Sequence, residues 1–581
     1  MPTRSNELRF ITLGGTGSIG KNMMVLEQHD QLLIIDAGVM FPDEHSPGVD
    51  LILPDMSYVL DRRDSVVGLI ATHGHEDHIG AIPYLLEQMP LALYGTRLTL
   101  GLLESKLAEF DPVEGTAATV VQPGDTLAIG SFQVEFVQVS HSIPDGLGLG
   151  IETSQGLIVH TSDFKFDQMP LDGRRTDYHK FAEFGTRGPL AMITDCTNVE
   201  RRGQTPSERE LGPVFDDLFR NAPGRIIVTT FASNISRLQR VFDVAERHGR
   251  RVAIEGRSMV RIVETAGELG YLRPPSQPLL TMSDAGELPP EQLAIITTGS
   301  QGEPLSALSR IADRTHKHVK IVEGDLVIMS ASPIPGNETL IARTINNLIG
   351  QGAHVVYGPE ERVHVSGHGN QEDLRLMLSL VRPKYVIPTH GERRHLVRYR
   401  ALAEEMGIPA DHVFILDPGD VVGFTRHKAR LAEPVPAGGV NVDGLGVGDV
   451  GEVVIRDRRD LAQEGIVLPV VVVDADTLRP VAPPEVYSRG FVYMSESSEL
   501  IEALMPEIDR AVEEAHEQPE LDIEVLKAYV KRFVRKHLYQ ATHRRPIVLP
   551  IVIAVGGTEA PEGSEAPTEA PAEDDGGEDL P

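Results

Sequence analysis

The chain has 581 residues, 41% of them hydrophobic and 24% charged, which is the balance of a soluble globular protein too long for one hydrophobic core. Its single cysteine, Cys196, excludes an intrachain disulfide, no apolar run reaches the roughly 20 residues of a membrane span, and residues 1–10 lack the apolar core of a secretory signal, so a cytoplasmic protein without membrane association is expected. The formal net charge of −31 argues mildly against a nucleic-acid substrate, but nine acidic residues and no Lys or Arg fall in 556–581, so part of that charge belongs to a tail.

Short apolar runs predict strands over 9–13, 22–27 and 31–35. Between the first two lies Gly15-Thr16-Gly17-Ser18-Ile19-Gly20, a GxGxxG run. A dinucleotide-binding loop must open a helix, whereas here a hairpin follows, turning at His29-Asp30, so these glycines read as tight turns near the floor of a site. A strand over 65–71 then runs into Thr72-His73-Gly74-His75-Glu76-Asp77-His78, and a helical pattern begins at Ile79. Side chains two apart on an extended segment share a side, so His73 and His75 can share one ion while Asp77 and His78 aim at a second. Imidazole and carboxylate ligands suit zinc, with manganese as a replacement.

Further strands are predicted over 132–139, 156–160 and 190–194. From about residue 206 helices alternate with strands: helix 208–220, strand 225–230, helix 235–248, strand 251–255, then strands 293–297, 325–329 and 353–357. That alternation predicts an α/β domain on a parallel sheet. After it come a helix over 373–381, a strand over 385–388 and His390, another ligand-type residue, so the α/β domain is read as an insertion into the first. The expected organisation is a first part at 1–205, an insertion at 206–362, a second part at 363–440, a Gly- and Asp-rich linker at 441–465, a C-terminal domain at 466–555 and a disordered acidic tail at 556–581. The C-terminal domain is expected to hold a strand over 466–474, helices within 499–516 and 522–538, and a last strand over 546–555.

Three residues past strand ends complete a metal site: His141, Asp163 and His390. Each alone reads better as a hydrogen-bonded loop residue, but together with the 73–78 cluster they make the metal reading dominant. Asp163 is the natural bridge, since one carboxylate can ligate two ions, and Asp36, at the end of strand 31–35, reads as the group that orients a ligand imidazole. Cys196 has no paired Cys or His and reads as an inert buried thiol; His160 reads as packing or support.

The ordered set Asp36, HxHxDH at 73–78, His141, Asp163 and His390 resembles the metallo-β-lactamase superfamily. Asp195, His368 and His390 look like the three marks of its nucleic-acid-cleaving β-CASP branch. The stretches Thr230-Phe231-Ala232-Ser233-Asn234, Thr298-Gly299-Ser300-Gln301-Gly302-Glu303 and Ser332-Pro333-Ile334-Pro335-Gly336-Asn337-Glu338 are similar to bacterial ribonuclease J, over about residues 8–555. The resemblance implies an α/β fold: an αββα sandwich with an inserted β-CASP domain and a small α/β C-terminal domain. It implies two zinc ions per chain, one on His73, His75 and His141, the other on Asp77, His78 and His390, with Asp163 bridging. It places RNA phosphate on His364, Val365, Ser366, Gly367 and His368, with Ser233 near the 5′ end, and makes His368, paired to Asp195, the general acid. It also implies 5′→3′ exonuclease and endonuclease activity on single-stranded RNA, a preference for 5′-monophosphate ends, a role in RNA maturation and decay, and a homodimer or larger assembly through the C-terminal domain. Asp50 and Asp443 read either as exposed loop carboxylates or, as in some relatives, as ligands of a structural divalent ion. Arg201, Arg202, Arg237, Arg310, Lys317 and Lys320 either line an RNA channel or keep helix faces soluble. A DNA-directed nuclease and a small-ester or lactone hydrolase would share the ligand set; the insertion and His368 disfavour the second, and RNA over DNA rests on the resemblance. A non-catalytic RNA-binding scaffold gives no reason to keep a complete ligand set.

Overall fold

A computed structural model describes residues 7–43, 46–303, 305–334, 336–444, 446–491 and 498–556. The chain divides into two units, one of Met1–Phe41 and Leu51–Val440, the other of Pro42–Asp50 and Asn441–Pro581.

Two facing sheets form the base of the first unit. One has eight strands in the order Ala429–Ala432, Val421–Phe424, Leu8–Thr12, Met24–Gln28, Gln31–Ile35, Val66–Ala71, Ala92–Gly95 and Ala117–Val120. The other has six, in the order Tyr385–Thr389, Ala191–Asp195, Leu157–His160, Gly146–Glu152, Phe132–Val139 and Thr126–Ile129. Strand periodicity sorts the side chains. Phe132, Val134 and Phe136 point inward to Phe10, Leu33 and Ile70 of the opposite sheet, while Val137 and Val139 point outward to Phe181 and Phe184. Each such side chain, fully buried, stabilises the fold by about 1.5–3 kcal/mol relative to exposure.

Three helices cover the outer face: Tyr178–Arg187, Gln371–Val381 and Arg393–Glu405, through Phe181, Phe184, Met377, Leu396 and Tyr399. The first begins where the Asp177 carboxylate accepts from the Lys180 amide at 3.0 Å and ends at Gly188, whose φ of 71° is a left-handed stop.

Strand Gly146–Glu152 was not foreseen: Leu147, Leu149 and Ile151 alternate and enter the core, but the glycines between them carry little strand preference. Its glycines make room for rings: a Cβ on Gly150 would lie 2.3 Å from Phe184 Cζ, and one on Gly148 2.9 Å from Phe181 Cζ. Packing, not local preference, selects this strand.

The insertion is visible in the register. Ala191–Asp195 and Tyr385–Thr389 are parallel neighbours, with Asp195 opposite Thr389. Between them the chain builds an all-parallel sheet in the order Arg251–Glu255, Leu293–Thr297, Ile226–Thr229, Leu326–Met329 and His354–Val356, with Ile227, Ile295, Val327, Leu308 and Ile345 in its core. Its connections carry helices, as crossovers between parallel strands must.

In the second unit Ile466–Asp474 pairs antiparallel with Glu485–Arg489 and parallel with Ile547–Val548 and Ile551–Val555. Alternate residues Val467, Val471 and Val473 pack against Ile508 of helix Met505–His516 and against Leu526, Val534 and Leu538 of helix Ile523–Thr542. The single last strand expected over 546–555 is two short ones, separated by Leu549 and Pro550; proline has no N–H to give a ladder.

The linker expected at 441–465 contains the 13-residue helix Glu452–Glu464. Only Ile455 of that helix is buried, so no apolar stripe marked it. The tail residues 557–581 lie outside the described residues. No helix among those described is long and apolar enough to cross a membrane.

Candidate metal centre

The candidate ligands meet at one end of the facing sheets. Strand Val66–Ala71 delivers Thr72 and His73, and the short helix Glu76–Ile79 presents Asp77 and His78. His141 follows strand Phe132–Val139, Asp163 follows Leu157–His160, and His390 follows Tyr385–Thr389. Asp36, Ser162 and His390 all adopt left-handed backbone, with φ of 59°, 54° and 54°. Such positions cost about 1 kcal/mol or more each and persist where the surroundings over-determine them.

Three sets of donor atoms converge within 4.8 Å: His73, His75, His141 and Asp163; Asp77, His78 and His390; and Asp163, Asp195, His368 and His390. In the first set, His73 Nε2 and His141 Nε2 lie 3.0 and 3.1 Å from His75 Nδ1. In the second, His390 Nε2 lies 2.9 Å from Asp77 Oδ2. Asp163 Oδ2 is 3.8 Å from His73 Nε2 and from His141 Nε2, 3.2 Å from His78 Nε2 and 3.5 Å from His390 Nε2. One buried carboxylate oxygen thus faces both imidazole sets. Imidazole nitrogens closing on a shared carboxylate are the donor chemistry of zinc or manganese, so the residues fit the expected ions.

Three of the candidate ligands, His78, His141 and His390, are held from behind. Asp36 accepts from Thr72 N at 2.7 Å and Thr72 Oγ1 at 2.8 Å, and its Oδ2 lies 2.8 Å from His78 Nδ1, leaving His78 Nε2 toward Asp163. The Gly367 carbonyl accepts from His141 Nδ1 at 2.9 Å. Thr197 Oγ1 lies 2.7 Å from His390 Nδ1 and donates to Asp195 Oδ1 at 2.7 Å. Gly15, in the glycine run, accepts from the His390 amide at 2.6 Å, which puts that run at the floor of the site.

Electrostatics divide the histidines. Burial, with neighbouring imidazoles, drives His73 and His141 well below their ordinary value, and burial pushes His75 down to about 4, which favours the neutral form that an imidazole needs to hold a metal. Burial also opposes charge on His78 and His390. Asp163, Asp77 and Asp36 outweigh it at His78, and Asp163 and Asp77 raise His390 to about 9. A pocket in which carboxylates draw positive charge inward is electrostatically suited to cations.

Beside this cluster His368 Nδ1 lies 2.8 Å from Asp195 Oδ2 and 3.9 Å from Asp163 Oδ2. Asn198 Nδ2 donates to Ser366 Oγ at 2.8 Å and to the His368 carbonyl at 3.0 Å, and Thr205 Oγ1 donates to the same carbonyl at 2.8 Å. His364 is half-buried with Nδ1 3.2 Å from the Ser330 carbonyl, and burial, with Arg237 nearby, holds it well below its ordinary value. Val365 is buried, so only its backbone can face a ligand. Ser233 is half-buried, beside Asn234, which caps helix Ile235–Arg247.

Sequence reasoning missed Thr72 and Thr197, which support candidate ligands, and Asn198 and Thr205, which hold Ser366 and His368; none carries a metal-ligand signature. Arg237 is corrected: it is wholly buried against Glu208 and lines no channel. Arg310 lies 3.7 Å from Glu255, while Arg201, Arg202, Lys317 and Lys320 are exposed. Asp443 pairs with Arg458 at 2.5 Å, and Asp50 accepts from the Gly444 amide at 2.9 Å; neither joins a cluster of three ligating side chains among the described residues. Cys196 is buried, donates to the Thr389 carbonyl at 3.0 Å, and is pushed well up by burial, which keeps it an inert thiol. Buried His160 accepts from the Ser162 amide at 3.1 Å, a support for the loop of Asp163.

Facing sheets with a His/Asp cluster at their ends, interrupted by a parallel-sheet insertion, define a metallo-β-lactamase-fold protein of the β-CASP type. Family models match in the same order: a beta-lactamase superfamily domain at 35–178, the beta-CASP domain of ribonuclease J at 223–348, a Zn-dependent metallo-hydrolase RNA specificity domain at 355–415, and the ribonuclease J C-terminal domain at 453–555. The chain belongs to the ribonuclease J family. It is 40% identical to ribonuclease J2 of Bacillus subtilis, over 95% of this chain and 99% of that one. It is 43% identical to ribonuclease J of Thermus thermophilus, over 94% and 95%, and 41% identical to ribonuclease J of Mycobacterium tuberculosis, over 95% and 98%. Among solved structures, a protein of unknown function from Enterococcus faecalis covers 72% of this chain and 100% of its own, with a TM-score of 0.51 at 16% identity, a likeness of fold alone.

Proposed function

We propose that this protein is a metal-dependent ribonuclease that hydrolyses RNA phosphodiesters, both 5′→3′ from the end and internally, in RNA maturation and decay. The observation that carries the reading is the placement of the His368–Asp195 pair, 2.8 Å apart, directly beside the converged His/Asp cluster. A small ester or lactone is attacked at an intrinsically more reactive carbonyl and gives no reason for this pair or for the inserted domain. Two zinc ions per chain, replaceable by manganese, would sit on His73, His75 and His141 and on Asp77, His78 and His390, with Asp163 shared; bound there, they supply Lewis acidity to the phosphodiester and activate the attacking water.

The protein's own groups do the rest. Asp195 holds Nδ1 of His368, so Nε2 is the atom that offers a proton to the departing 3′ oxygen. The products are a 5′-phosphate and a 3′-hydroxyl. Asn198 and Thr205 pin the backbone of 366–368, so that Ser366, the amides around Gly367, His364 and Ser233 can cradle phosphate. No base is read, and single strands are threaded by backbone contacts. Purified protein given matched end-labelled RNA and DNA should degrade the RNA; equal rates on both would favour the DNA-directed alternative.

A pocket of fixed depth built from hydroxyls and amides suits a terminal monophosphate better than a triphosphate. RNA with a 5′-monophosphate is therefore expected to be degraded faster than its triphosphorylated twin, with mononucleotides released from the 5′ side. Ser366→Ala should erode that preference more than internal cleavage. Equal rates on both ends, read on sequencing gels, would count against the pocket.

Residues 466–555 are proposed to drive self-association. In this unit Ile551–Val555 is an edge strand with Ile553 46% exposed, beside Leu549 at 53%, and Tyr487 of the opposite strand is 52% exposed. An apolar edge of this kind is normally covered. Light scattering is expected to report a dimer or larger at micromolar concentration; a monomer there would remove this role.

A further inference from the structure

Arg237 makes more directed contacts than any ordinary buried cation needs. It lies in the first turn of helix Ile235–Arg247, four residues after Ser233, and is 0% exposed. Its Nη2 donates to both oxygens of Glu208, at 2.9 and 3.1 Å, and Nε donates to Glu208 Oε2 at 3.3 Å. Its Nη1 donates to the carbonyls of Ser330 and Val363, both at 3.1 Å, and to Ser330 Oγ, which itself donates to the Val363 carbonyl at 2.6 Å.

The positions of these partners give the contacts meaning. Glu208 lies where the chain leaves the facing sheets for the insertion, and Val363 lies where it returns, immediately before 364–368. The Ser330 carbonyl also faces His364 Nδ1 at 3.2 Å. On the other side, the Glu208 amide donates to Asp167 Oδ2 at 3.3 Å, and buried Asp167 is four residues beyond Asp163 in the same loop. One guanidinium therefore links the loop of Asp163, both crossings between the layers and the entry to 364–368.

Stability does not account for such a device. A buried ion pair replaced by apolar side chains of similar size commonly leaves a protein as stable or more so. The planar, five-donor fork does set directions that a lysine or an apolar residue cannot. We infer that Arg237, braced by Glu208, is a positioning residue that sets the segment 364–368 against the metal centre for RNA, a role that rests on the ribonuclease reading above.

The test compares RNA with bis-p-nitrophenyl phosphate, a small diester whose leaving group departs without a proton and which has no terminal phosphate for 364–368 to hold. Arg237→Lys keeps the charge beside Glu208 but loses the fork. The double variant Glu208→Leu/Arg237→Met removes both charges and keeps an apolar filling. In each, KM for 5′-monophosphorylated RNA should rise about tenfold to a hundredfold, the scale of a misplaced binding group, while turnover of the small diester falls by a much smaller factor, through the Gly367 carbonyl on His141, and the thermal midpoint stays near that of the unmutated protein. An unchanged KM for RNA, or RNA and diester activity falling by the same factor, would overturn the inference, as would loss of the folding transition in both variants. An unmutated control that hydrolyses the diester but not RNA would overturn the ribonuclease reading itself, and the strut's role with it, a failure distinct from the others.

Discussion

His78→Ala is expected to abolish hydrolysis of RNA and of bis-p-nitrophenyl phosphate alike, by about a thousandfold or more, the scale on which loss of a principal transition-state stabiliser is felt. His78 Nε2 lies 3.2 Å from Asp163 Oδ2 and 3.7 Å from Asp77 Oδ2, so with His390 it links the shared carboxylate to the second ligand set. Its side chain is buried among polar ligands rather than in either apolar cluster, so its removal empties no hydrophobic core. The fold should survive, with far-ultraviolet circular dichroism unchanged. Asp36 and Asp163 would each lose one partner but keep others, Thr72 for Asp36 and His73, His141 and His390 for Asp163, so the cost falls at the low end of the about 1–3 kcal/mol of an unsatisfied group. Elemental analysis should find about two zinc-type ions in the unmutated protein and fewer in the variant. Protein as purified that holds no transition metal, and whose activity ignores a chelator, would remove the metal reading.

His368→Ala and Asp195→Asn separate proton donation from the metals. On RNA, whose 3′ oxygen leaves poorly without a proton, loss of the acid should lower kcat by about a hundredfold to ten-thousandfold, the usual contribution of a positioned acid or base. On bis-p-nitrophenyl phosphate the same variants should retain nearly all turnover. Asp195→Asn should be milder than His368→Ala, because the amide oxygen can still accept from Nδ1, 2.8 Å away, and hold the ring's orientation. Metal content should stay near that of the unmutated protein, since His368 lies 3.9 Å from Asp163 and the imidazole sets close without it. Equal losses on both substrates, or loss of metal, would make His368 a ligand rather than an acid.

These expectations start from residues that could be picked out in the chain, because metal-ligating side chains are scarce and their spacing reflects geometry. His73 and His75 two apart, Asp77 and His78 at the following turn, and His141, Asp163 and His390 each past a strand end follow from strand periodicity and donor chemistry alone. The inserted parallel sheet was likewise visible, since alternating helices and β-branched strands admit few other arrangements. The strand Gly146–Glu152 was not, because its glycines exist to receive Phe181 and Phe184 from a helix that begins 26 residues further on. The helix Glu452–Glu464 was not, because one buried residue leaves no periodic stripe.

Only the folded chain decided how the site is supported. Asp36 reaches His78 across 42 residues, Gly367 reaches His141 across 226, and Thr197 reaches His390 across 193. A hydroxyl or carbonyl carries no local sign of such a role, since thousands of chains place threonine and glycine in turns for other reasons. Arg237 shows the same limit from the opposite side: in the chain it was one more basic residue on a helix, and burial against Glu208 turned it from a surface charge into a structural one. Which ligands are present is a matter of residue type and spacing; which atom of each faces inward is set by long-range hydrogen bonds that exist only after the layers close.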